Sequence, residues 1–83
     1  MINGMDKKYP SFVSGQAPKP DYDSRELEAN GYTLRARCNK DNPDCQELID
    51  DEKKSGFSVK TIELDPSINA DNKNMIDVWV KKQ

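Results

Sequence analysis

Apolar side chains recur with a period of two in three stretches of this chain and with a helical period in one. In "GYTLRARC", residues 31–38, Tyr32, Leu34, Ala36 and Cys38 alternate with Thr33, Arg35 and Arg37. That is the pattern of a strand with one face in a core and the other, here cationic, turned away from it. In "GFSVKTIEL", residues 56–64, the alternation slips: Phe57 and Val59 share one phase, Ile62 and Leu64 the other. Either a bulge near Lys60–Thr61 or burial on both faces accounts for the slip. "MIDVWVKK", residues 75–82, places Ile76, Val78 and Val80 inward and Met75, Asp77, Trp79 and Lys81 outward.

The helical pattern lies between the first two strands. Asn42 is a good N-cap, Pro43 suits the first helical position, and Asp44 and Glu47 lie in or near the first turn, where the helix dipole favours anions. The helix runs to about Lys54, Gly56 is placed to stop it, and its apolar stripe is Cys45, Leu48 and Ile49. Upstream, Asp23 with Glu26 reads as a capping box and Gly31 as a C-cap, which predicts one or two helical turns weakly anchored by Leu27 and Ala29.

These elements predict an α+β domain over residues 22–83: a short helix, then β-α-β-β, with three strands in a small sheet and one main helix on one face. The last two strands form an antiparallel hairpin, and a right-handed crossover makes the first two parallel. One helix leaves the opposite sheet face to solvent, to the N-terminal tail or to a partner. Residues 1–21, with Pro10, Pro18 and Pro20, read as an extended or flexible tail whose apolar patch is Tyr9, Phe12 and Val13.

A chain of 83 residues holds one modest core. No apolar run reaches the length of a membrane span, and the N-terminus lacks a signal-peptide core, so a cytoplasmic protein without membrane association is expected. The net charge of −2 gives no overall positive field for nucleic acid. Its distribution is more informative: residues 39–52 set Lys40 against Asp41, Asp44, Glu47, Asp50, Asp51 and Glu52, a local charge of −5.

Cys38 at the end of the first strand and Cys45 in the first turn of the helix both face the core. In a reducing compartment they are expected as two thiols, with a Cys38–Cys45 disulfide as the alternative. Two cysteines and no histidine fall short of a structural zinc set, and the C-x6-C spacing is not that of a thiol oxidoreductase. Without histidine there is no Ser-His or Cys-His pair, and the four glycines form no phosphate loop, so no catalytic, metal or cofactor-binding residue is expected.

Two binding surfaces remain. The first is the acidic face of the helix, Asp41, Asp44, Glu47, Asp50, Asp51 and Glu52, which suits a basic surface on a protein partner. By analogy of type, it fits the small inhibitors that phage and mobile elements direct at nucleic-acid-handling host proteins. The alternative is single-stranded nucleic acid held on the open sheet face by Arg35, Arg37, Trp79 and Lys81, through stacking and phosphate contact. A protein partner is expected, a homodimer through the open sheet face is compatible with it, and nucleic acid is the less favoured alternative. No catalytic activity is expected.

Overall fold

The computed structural model describes residues 19–83. The expected tail, with Tyr9, Phe12 and Val13, therefore lies outside the described residues apart from 19–21. Along the chain come α1 (Arg25–Ala29), β1 (Thr33–Asn39), α2 (Pro43–Lys54), β2 (Phe57–Glu63), a single 3-10 turn (Ala70–Asn72) and β3 (Met75–Lys82). The order β-α-β-β is that of the expected α+β domain.

The strands form one sheet in the order β1-β3-β2, and β3 is antiparallel to both neighbours. β1 and β2 thus run parallel to each other with β3 inserted between them. The central place suits β3, because every residue from Ile76 to Val80 is buried, a pattern that only a strand covered on both faces can satisfy.

Local chemistry sets the helix ends. In α2 the Asn42 side chain accepts a hydrogen bond from the Asp44 N–H at 2.9 Å, and Pro43 takes the first helical position, where no N–H is needed. At the far end Gly56 adopts φ +95°, a left-handed conformation that a side chain would oppose. α1 departs from expectation at its start. Asp23 binds Arg25 through both main chain and side chain, and Ser24, not Asp23, is the cap residue, so there is no capping box. Its C-terminus behaves as expected: Gly31 takes φ +92°, and the Tyr32 N–H reaches back to the Leu27 carbonyl at 3.0 Å.

On one face of the sheet, α2 buries Cys45, Leu48 and Ile49 against Ala36, Cys38, Ile76, Val78 and Val80, with Phe57 and Val59 packed alongside. Burying a side chain such as Leu48 contributes about 1.5–3 kcal/mol. The slip of phase in β2 has the second of its two expected explanations. β2 pairs with β3 residue for residue from Phe57 to Glu63, so no bulge lies at Lys60–Thr61. Phe57 and Val59 pack on the helix side, and Ile62 belongs to the opposite face together with Asp77, its partner in the pair.

The irregularity lies in β1 instead. Its register against β3 shifts between Leu34 and Ala36, which makes Arg35 the extra residue. Ala36 and Cys38 stay in the helix-side core, whereas Leu34 and Arg37 pair with Trp79 and Asp77 on the opposite face. The expected single apolar face of Tyr32, Leu34, Ala36 and Cys38 is therefore split in two. That opposite face is not open: Trp79 is 3% exposed and Asp77 not at all. The segment before α1 covers it, with Tyr22 laid across Trp79.

Candidate functional site

Asp77 is an acid in the middle of an apolar strand, and its carboxylate is fully enclosed. A bare charge there would be prohibitively costly to desolvate, so its partners decide whether the fold is tolerable. Arg37, directly across the β1–β3 pair, sends Nε to Oδ1 at 2.6 Å and Nη2 to Oδ2 at 3.0 Å, a two-pronged charge-assisted contact. The Tyr22 hydroxyl donates to Oδ2 at 2.6 Å and accepts from Trp79 Nε1 at 2.7 Å. The Tyr22 and Trp79 rings meet edge to face with centroids 6.5 Å apart. One short network thereby joins the start of the described chain to the two strands β1 and β3.

Burial raises the Tyr22 hydroxyl well above the ordinary phenol range, and its bond to the Asp77 carboxylate adds to the effect. Hydrogen bonding to Asp77 likewise raises the Arg37 guanidinium. The sign of the pH dependence follows. The unfolded chain releases its tyrosine proton near the ordinary value of 10.0 while folded Tyr22 still holds its own, so the contribution of Tyr22 to stability is level below about that pH and is lost as the pH rises above it. Following tyrosinate absorbance through an alkaline titration is expected to show one residue ionising late, together with unfolding. In Tyr22→Phe the late step disappears.

The residues expected to form a nucleic-acid face are not brought together. Trp79 is packed under Tyr22 and offers no ring surface for stacking, and Arg37 is committed to Asp77. The bulge turns Arg35 to the helix side, where it lies over the Phe57 ring at 5.4 Å and pairs with Glu52 at 3.3 Å. Lys81 remains exposed, with Nζ 5.9 Å from the centre of the Tyr32 ring, and Lys60 sits over the same ring at 5.2 Å.

The acidic set is largely kept together. Asp41 and Asp50 are exposed, and Asp44, Glu47 and Asp51 are half-buried. Asp50 accepts a hydrogen bond from Gln46 at 3.0 Å. Glu52 leaves the set: it follows Cys45, Leu48 and Ile49 at helical spacing, so its side chain turns inward to Arg35 and is only 15% exposed. The first turn of this surface is anchored covalently. Cys38 and Cys45 are joined in a disulfide, with Cα atoms 5.6 Å apart, and not held as the two free thiols expected.

Tyr22 and Asp77 carry the best-organised polar site, and the hydrophobic pattern passed over both. The signal that could have found it was a single acid among Ile76, Val78, Trp79 and Val80 with two arginines on a neighbouring strand. Among the described residues no cluster of three or more His, Cys, Asp or Glu side chains is placed to hold a metal ion, and no helix is long and apolar enough to cross a membrane. No protein-family model matches the chain, and neither a curated protein nor a solved structure resembles it significantly.

Proposed function

We propose that this protein is a non-enzymatic interaction module that uses the acidic surface of α2 and its preceding turn to bind a basic surface on a protein partner. The observation that carries this reading is the placement of Asp44, Glu47, Asp50 and Asp51 on one capped helix, with Asp41 in the turn before it and the first helical turn joined to β1 by a disulfide. A pre-ordered array of carboxylates loses little entropy on binding and complements a groove of lysines and arginines. A groove that ordinarily holds a phosphate backbone is the partner surface such an array fits best, and inhibition of a nucleic-acid-handling protein is the corresponding role. The buried network beneath Tyr22 supports the reading by leaving the sheet face as scaffold.

Reversal of Asp41 and Asp50 to lysine tests it, because both side chains are exposed and neither is packed in the core. With the partner recovered by affinity capture, the double reversal is expected to weaken binding at least about tenfold while leaving the melting temperature within a few degrees, and wild-type affinity is expected to fall with added salt. A partner nucleic acid should compete with the wild-type protein. Unchanged affinity in the reversed variant, or affinity insensitive to salt, overturns the proposal.

A further inference from the structure

The two edges of the sheet are unequal. The β1 edge is interrupted by the bulge at Arg35, a device that disfavours strand pairing. The β2 edge has no such interruption: Phe57–Glu63 pairs evenly with β3 and contains neither proline nor glycine. Its hydrogen-bonding phase follows from one bond. The Leu64 N–H donates to the Met75 carbonyl at 3.0 Å, so in the alternating antiparallel ladder Ser58, Lys60 and Ile62 also bond inward to β3. The N–H and C=O groups of Phe57, Val59, Thr61 and Glu63 then point away from the sheet. On the same strand Phe57, Val59 and Ile62 are only half-buried, in contrast to the enclosed residues of β3.

We propose that β2 is a pairing edge and that its occupant is the β2 strand of a second copy of this chain, antiparallel and centred on Thr61. Self-complementarity favours a second copy over an unrelated strand. In the register that sets Thr61 against its own mate, Val59 and Glu63 face each other twice, and all their outward groups find partners. Lys60 then lies opposite Ile62 of the other copy, so the like-charged Lys60 pair of the adjacent register is avoided. Threonine pairs across strands are favourable, and like charges directly opposite are not. The product is a continuous six-stranded sheet with a twofold axis through Thr61, both α2 helices on one face and no exposed β2 edge. It uses the sheet edge, not the face covered by Tyr22, and does not depend on the acidic-surface reading.

Sedimentation equilibrium of the oxidised chain is expected to give a dimer that dissociates on dilution. Thr61 is exposed, and its N–H is not needed by β3. Thr61→Lys therefore keeps the fold and places two ammonium groups face to face on the twofold axis, which should weaken dimerisation at least about tenfold with the melting temperature of the dilute monomer unchanged. Thr61→Cys provides a second arm: opposed residues of a hydrogen-bonded antiparallel pair have Cα atoms about 5.5 Å apart, within disulfide range. It should crosslink rapidly, and Ser58→Cys, whose two copies lie far apart in this register, should not. A monomer at millimolar concentration, a dimer indifferent to Thr61→Lys, or equal crosslinking of the two cysteine variants overturns the proposal.

Discussion

Arg37→Leu is expected to be the most damaging single substitution at the buried network, and more damaging than Asp77→Asn. Asp77 has no route to water, whereas the Arg37 side chain is one quarter exposed. Removing the arginine strands an enclosed carboxylate with the Tyr22 hydroxyl as its one remaining side-chain donor among the described residues, at a cost of about 3–5 kcal/mol. For a domain of this size that corresponds to a fall in Tm of at least about 12 °C. Asp77→Asn keeps the volume and an acceptor oxygen, leaves the guanidinium partly solvated, and is expected to cost about 1–3 kcal/mol. The double replacement Arg37→Leu with Asp77→Leu removes both charges and should recover much of the Arg37→Leu loss. Thermal and urea melts of the three variants check the order. Equal losses in Arg37→Leu and Asp77→Asn would place the cost in missing hydrogen bonds and not in a stranded charge.

The network also explains why the sheet was easier to read than its second face. Period-two alternation identified all three strands because Ile76, Val78 and Val80 must meet Cys45, Leu48 and Ile49 across one layer. Alternation alone takes every out-of-phase residue for a solvent-facing one. Asp77 and Trp79 were in the right phase but on a face that Tyr22 closes, a contact made 55 and 57 residues away along the chain. No local pattern encodes a pairing of that range. Tyr22 itself sits among Pro20, Asp21 and Asp23, residues of loop character, and only its partners give it a buried role.

The bulge in β1 escapes the alternation pattern for a similar reason. Arg35 lies in an unbroken alternation, Leu34-Arg35-Ala36-Arg37, so its insertion is visible only against the register of β3. What favours it is electrostatic as well as geometric: the extra residue swings the guanidinium to Glu52 and the Phe57 ring on the helix side. The dispersal of the arginines follows from that one step, which also gives Glu52, turned inward by its helical spacing, its partner. The helix was legible almost to the residue because its caps, Asn42, Pro43 and Gly56, act through neighbouring main-chain groups. The acids of α2 that stay on the acidic surface, Asp44, Glu47, Asp50 and Asp51, are those that helical spacing separates from Cys45, Leu48 and Ile49, and Asp41 joins them from the turn before the helix.

Reduction of Cys38–Cys45, or its replacement by two alanines, is expected to lower stability by about 2–3 kcal/mol, since the bond closes a loop of sequence separation 7 in the unfolded chain. In a domain of this size the fall in Tm is about 10–20 °C. Both cysteines are buried, Cys45 at 2% exposure, so a reductant reaches the bond only when the β1–α2 junction opens. Reduction of the native protein should accordingly be slow and should accelerate in mild denaturant before global unfolding; melting curves with and without reductant, and the rate of thiol release, measure the two effects. The compartment then enters the energetics. Under oxidising conditions the bond holds the first turn of α2 on the sheet, whereas in a reducing cytosol the same chain carries two thiols and depends on the Asn42 cap and the apolar stripe alone. The acidic surface begins at this junction with Asp41 and Asp44. Partner affinity should therefore fall on reduction most steeply near the reduced protein's Tm and hardly at all well below it. Loss of affinity at temperatures where the reduced protein is still fully folded would instead mean that the cysteine turn itself touches the partner.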